Sequence, residues 1–281
     1  MTATIDRPRP TARLTTGGIL RSEWVKLTTL RSTWWCLGLI AAMTAGMPVL
    51  IALVLGFTGD PAANVDLASY EWSLAITVST GFTVLIAAVL GSLVITGEYA
   101  TGMIRSSLTA APGRLSTLFA KSAVMGATLL VVQGLALVVG ALLAAVILGA
   151  NGYAIDVADA RVWTALLGAA VYPALIAVFA TGIGTMLRNS AGAIASVLGL
   201  LLVVPTILQL AGMLLQARWV LDVNAFLPSS LGSAMTSFPM DAFAPESEVL
   251  ALEPWQAALV LLAWAGAALV GGVVVLTRRD A

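Results

Sequence analysis

Few side chains in this sequence could do chemistry, and most of those that could fall close together. Glu98, Arg105, Arg114 and Lys121 lie within residues 97–121, a charged island between two long uncharged runs. What they can do is bounded by what is missing. There is no histidine, which removes the commonest general base and the commonest metal ligand together. The single cysteine, Cys36, sits in an apolar run and reads as a small buried hydrophobe. No glycine-rich phosphate loop ending in Gly-Lys-Ser/Thr occurs, and there is no His-Glu-x-x-His and no cysteine pair to hold a metal. Bond-making chemistry is disfavoured, and the island is left with charge pairing and docking. Thr101 is placed to cap a short helix carrying Met103, Ile104, Arg105 and Leu108. Pro112-Gly113 would end it, since proline lacks the donor and glycine accepts the turn, and a second helix would start near Arg114 and run through Lys121. The Glu98 carboxylate is expected to accept from the first amides of the short helix or to pair with Arg105 or Arg114. An ordinary basic loop is the other reading of the same residues.

The elements that hold this island follow from composition. The chain is 59% hydrophobic and 10% charged, which excludes an ordinary soluble domain and leaves an all-α integral membrane protein. Its net charge of zero offers no basic footprint for nucleic acid. Six runs contain no Asp, Glu, Lys or Arg: 32–59, 72–97, 122–155, 162–187, 189–217 and 254–277. A membrane-spanning helix needs about 20 apolar residues, so each run suffices. Spans are expected near Thr33–Phe57, Leu74–Thr96, Phe119–Leu148, Trp163–Leu187, Ala191–Leu215 and Pro254–Thr277. The whole chain, 1–281, reads as one transmembrane domain, with 1–18 a solvated tail and 33–277 the six-helix region.

Orientation follows from the basic residues. With the N-terminus inside, 12 of the 14 Lys and Arg fall on the inner side and only Arg161 and Arg218 on the outer. That asymmetry is the positive-inside rule, so both termini and the island are expected in the cytoplasm of a multi-pass plasma-membrane protein. Before the first span, Leu20, Trp24, Leu27 and Leu30 recur at helical spacing, with Arg21, Glu23 and Lys26 elsewhere on the surface. Residues 19–31 therefore read as a helix lying in the membrane interface, tryptophan at headgroup depth. The alternative is a plain extension of the first span.

Inside the spans, Pro173 and Pro205 are expected to distort their helices. Gln133, Gln209 and Tyr172 are the polar candidates for a pathway or for hydrogen bonds between helices. No ionisable group other than tyrosine sits at mid-span, which argues against a proton-coupled carrier or an intramembrane hydrolase. Residues 222–235 are more apolar than a free loop, and read either as a broken helical hairpin packed on protein or as a surface loop.

Three stretches carry a resemblance. They are Leu20-Arg21-Ser22-Glu23-Trp24-Val25-Lys26-Leu27 with Leu30-Arg31-Ser32-Thr33-Trp34-Trp35; Glu98-Tyr99-x-x-Gly102 followed by Leu108, Pro112, Arg114 and Lys121; and Leu227-Pro228-Ser229-Ser230. Together with the six-span layout they resemble the permease subunit of ABC-2 type ABC transporters, in the style common in actinobacteria. Many members have threonine where Met103 stands. The resemblance implies that Thr101–Leu108 is a coupling helix on a cytoplasmic ABC ATPase, with Glu98, Gly102 and Arg114 around it. It implies external re-entrant helices over 224–238 and a complex of two permease and two ATPase subunits. ATP and magnesium would be held by the partner, this chain would carry no cofactor, and the cargo would be a hydrophobic or amphiphilic compound. Spans one, two and five would rearrange between two permease copies. A non-transporting membrane anchor or assembly factor, using the same loop to dock a partner, is the other function class the residues allow.

Overall fold

Each uncharged run of the sequence folds as a helix, because a backbone wrapped in apolar side chains must satisfy its own hydrogen bonds. The computed structural model describes residues 15–58, 64–103, 114–239, 250 and 252–278. Among them the order is α1 (Thr16–Thr29), α2 (Arg31–Thr58), α3 (Val65–Thr77), α4 (Thr80–Ala100), α5 (Arg114–Ala150), α6 (Ala160–Leu187), α7 (Ser190–Leu198), α8 (Val204–Leu215), α9 (Arg218–Ala225), α10 (Pro228–Met235) and α11 (Pro254–Arg278). Among the described residues six helical stretches are long and apolar enough to cross a membrane: α2, α3 with α4, α5, α6, α7 with α8, and α11.

α6 is the axis of the bundle, packed between α4, α5 and α11. Small residues make this possible, since close backbone approach replaces the hydrophobic drive that lipid does not supply. A methyl group at Gly91 of α4 would collide with the Ala177 carbonyl of α6, and Thr181 Oγ1 donates to the Gly91 carbonyl at 3.1 Å. Gly182, on another face of α6, approaches the backbone of Ala268 in α11 in the same way.

α1 is an element of its own. Thr15 caps it, accepting from Gly18 N at 3.2 Å, and Leu30 in extended conformation separates it from α2. Trp34 Nε1 donates to the Thr28 carbonyl at 2.8 Å and pins the corner. The extension of span one is thus excluded, and the helix runs 16–29 rather than 19–31.

Span two differs most from the expectation. It starts at Val65, not Leu74, and takes in Asp66 and Glu71. Asn64 caps it through Asp66 N at 2.8 Å, and the Asp66 carboxylate accepts from Arg161 at 2.6 Å. A paired charge at a helix end does not stop the helix, so the charge-free run was too strict a boundary. The span is also broken at Val78-Ser79, where Thr77 and Ser79 hydroxyls donate to the carbonyls of Ser73 and Ile76 at 2.9 and 3.2 Å.

Of the two prolines expected to distort their helices, Pro173 lies within an unbroken α6. Pro205 follows a five-residue π-helical turn, Gly199–Val203, that joins α7 to α8. Proline has no N–H to return to the carbonyl four residues back, and its ring crowds that carbonyl; a widened turn accommodates both. Before span six, α9 and α10 form a packed pair rather than a free loop: Leu231 and Met235 are fully buried, and Trp264 Nε1 donates to the Phe226 carbonyl at 3.0 Å.

Candidate functional site

α1 turns a different face inward from the one its sequence suggests. Of the expected apolar stripe only Leu27 is buried; Leu20, Trp24 and Leu30 stay exposed. The inward residues are Glu23, Lys26 and Leu27, at helical spacings of three and four. The reason lies in what α1 packs against. The end of α4 presents Glu98 and the start of α5 presents Lys121, a charged surface that an apolar stripe could not satisfy.

The four charges form one cluster. Lys121 Nζ donates to Glu23 Oε2 at 2.5 Å and to Glu98 Oε1 at 2.8 Å. Lys26 Nζ donates to Glu23 Oε1 at 2.7 Å and to Glu98 Oε1 at 3.2 Å. Glu23, Glu98 and Lys121 are each no more than 4% exposed. Among the described residues Glu98 therefore pairs with two lysines, where the sequence pointed to Arg105, Arg114 or helix amides. Arg105 lies outside the described residues, and Arg114 is the first residue of α5. Burial works to lower the Lys26 pKa, but its hydrogen bond with Glu23 and the nearby Glu98 carboxylate outweigh it, and the value is raised. The cluster is charge-balanced, which is the condition under which buried ions are tolerated. One acceptor is left over: Glu98 Oε2 is buried without a hydrogen-bond partner.

The cluster brackets the island. Glu98 precedes its central segment by one turn and Lys121 follows it by two, and both are tied to α1. Thr101, expected to cap a short helix that lies outside the described residues, stands at the end of the helix before it. It closes α4, its N–H and hydroxyl both donating to the Gly97 carbonyl at 3.1 and 2.9 Å. Gly102 then takes φ +70°, a left-handed conformation that glycine adopts without strain, and Met103 is exposed. Ile104 and Leu108, with Arg105, fall outside the described residues. At the same end the α6–α7 hairpin docks on α4: Ser190 Oγ donates to Thr96 Oγ1 at 2.8 Å, and the Arg188 guanidinium lies 5.3 Å over the Tyr99 ring.

The in-span candidates separate. Gln133 is fully buried and joins three helices, accepting from Thr44 at 2.9 Å and donating to Thr83 at 3.2 Å. Both bonds run between helices. Tyr172 is buried with its ring against Gly232 of α10. Pro205 is buried beside the π turn, and Gln209 lies exposed on the outer face of α8. Glu23 was missed as a site residue because its neighbours in sequence are apolar at the same period. Its spacing of three from Lys26, opposite a second Glu and Lys on the same side, was the available signal.

A comparison with protein families matches residues 19–221 to the ABC-2 family transporter protein, a stretch that runs from α1 into α9 and includes the whole cluster. This chain belongs to the ABC-2 transporter family. It is a multi-pass membrane protein and the permease component of an ABC transporter, a subunit type that cooperates with an ATP-binding subunit and is generally not catalytic itself. A search of curated proteins returns no match. In this ABC-2 permease the charged cluster lies where the helix before span one meets the segments flanking the island.

Proposed function

We propose that this permease forms the membrane-spanning half of an exporter, powered by a cytoplasmic ATPase that docks on Thr101–Leu108. ATP and magnesium are bound by that partner, not by this chain. The observation that carries the reading is the cluster of buried Glu23, Glu98 and Lys121 with half-buried Lys26. It clamps α1 to both arms of the docking segment. A push on the segment by the closing ATPase then moves α4 and α5 with α1, and Leu30 passes the motion to α2 through a single extended residue. Orientation with both termini in the cytoplasm is supported by the basic residues gathered at the α1 end. A second permease copy is supported by the outer face of α8, where exposed Gln209 stands among exposed Ile207, Leu210 and Met213. An amide there has a natural partner in another helix rather than in lipid. In this assembly α9 and α10, spanning most of 224–238, close the external side as re-entrant helices, and the cargo is hydrophobic or amphiphilic.

The test is co-purification with the ATPase in mild detergent. Docking would bury Ile104 and Leu108, each contributing about 1.5–3 kcal/mol, so Ile104→Asp with Leu108→Asp should abolish association. Wild-type recovery of the ATPase by the doubly substituted permease, present in the membrane at normal levels, would move the contact to α1 or to the Arg188 hairpin.

A further inference from the structure

In the half of the bundle away from the charged cluster, two helix irregularities face one cavity. The break of span two contributes Thr77, Val78 and Thr80, and the π turn before Pro205 contributes Leu201 and Leu202. α10 closes the cavity with Gly232, Ser233 and Thr236, and Tyr172 of α6 forms another wall. The volume is about 320 Å³, at the lower end of the range for small-ligand pockets, roughly 300–1,000 Å³. Interrupted helices at membrane depth are tolerated where they line such a cavity, and π turns recur at functional sites.

The hydroxyls in the wall are not equivalent. Thr77 Oγ1 donates to the Ser73 carbonyl at 2.9 Å, Thr236 Oγ1 to the Gly232 carbonyl at 3.0 Å and Ser233 Oγ to the Ser229 carbonyl at 3.3 Å. Each has committed its one proton to its own helix, so it offers the cavity an acceptor. The Thr80 and Ser229 hydroxyls are sealed off and take no part. Tyr172 is 5% exposed, yet its hydroxyl is not sealed, and among the described residues it has no hydrogen-bond partner. A phenol can donate or accept. The remaining wall is apolar, with Val84, Leu85 and Leu202. Water meets the hydroxyls but leaves that wall wet, whereas an amphiphile covers both.

We infer that this cavity binds an uncharged amphiphile with a polyhydroxylated head group, an alkyl glycoside in its simplest form. The head donates to Thr77, Ser233 and Thr236 and accepts from the Tyr172 hydroxyl, while the chain lies along Val84, Leu85 and Leu202. A head with acceptors alone would meet acceptors. None of the described lining residues is charged, so an ion would exchange its hydration for hydroxyls and an apolar wall. The site goes beyond the transport reading. Binding requires no ATPase, so failure of this pocket and failure of the docking contact are separable.

The experiment uses the full chain in lipid nanodiscs, with a diazirine-bearing octyl glucoside as probe, at concentrations that leave the discs intact, and mass spectrometry to place the adducts. Adducts are expected on residues 77–85, 201–202 and 229–236. Octyl glucoside should compete for them. Its fully O-methylated derivative keeps every head-group oxygen and loses every donor, and should be weaker by about tenfold or more, as should octylammonium and free glucose. Tyr172→Phe should weaken competition by octyl glucoside by about threefold to tenfold. Gly81→Phe, at a lining position where an added side chain meets nothing within 4 Å, and Ser233→Phe, at an exposed lining position, should each remove the adducts in protein that elutes as a single species. Labelling that survives both substitutions, or adducts spread over the outer faces of α2 and α8, would overturn the inference. Competition by the methylated glucoside, octylammonium or free glucose equal to that of octyl glucoside would overturn it as well, and unchanged competition in Tyr172→Phe would overturn the part given to the tyrosine.

Discussion

Removing the lysine at the centre of the cluster tests the coupling argument directly. Lys121→Met keeps the length of the side chain and deletes its charge. Lys121 contacts both carboxylates, at 2.5 and 2.8 Å, and all three groups are at least 96% buried. Among the described residues Lys26 alone would then face two buried carboxylates, one negative charge more than the cations beside them. Breaking a buried pair in this way costs about 3–5 kcal/mol. The penalty should thus be about 3–4 kcal/mol, the lower part of that range, because Lys26 stays in contact with both carboxylates. It should appear as release of α1, because α1 is the element held by the cluster. Hydrogen exchange over residues 16–29 in nanodiscs is the assay, and exchange should accelerate by about 10²–10³ at pH 7. Adding Glu98→Gln to Lys121→Met restores charge balance and should recover protection at pH 7. Unchanged exchange in Lys121→Met, or no recovery of protection in the double variant, would refute the clamp and the transmission route built on it.

Further expectations follow from other parts of the bundle. Gly91→Val should prevent close packing of α4 on α6, with loss of stability of several kcal/mol as read by thermal unfolding in detergent, since the new side chain meets backbone rather than a movable side chain. Gln133→Leu should cost about 1–2 kcal/mol by leaving the Thr44 and Thr83 hydroxyls without their partner, and should leave ATPase association unchanged in the same co-purification. For topology, cysteines at Asp66 and Ser247 should react with an impermeant thiol reagent outside intact cells, and a cysteine at Ser107 should not; outside labelling of Ser107 would reverse the proposed orientation.

The sequence by itself determined the class of protein, the number of spans and most of their limits. Charge-free runs longer than the bilayer is thick admit one structure, because lipid offers the backbone no other hydrogen-bond partner. It also singled out Glu98, Lys26 and Gln133, and the structure shows the Gln133 amide bonded between helices. Local chemistry misled where a remote partner intervened. The stripe of Leu20, Trp24, Leu27 and Leu30 is a sound helical period, yet α1 buries Glu23 instead, because the surface it meets carries Lys121 and Glu98. Asp66 lies outside the expected span two, Leu74–Thr96, and Arg161, 95 residues away, lets the helix include it. Neither partner can be read from spacing along the chain. Charge pairing depends on which helix ends meet, and that is decided by close contacts such as Gly91 on Ala177, which exist only once the bundle has formed.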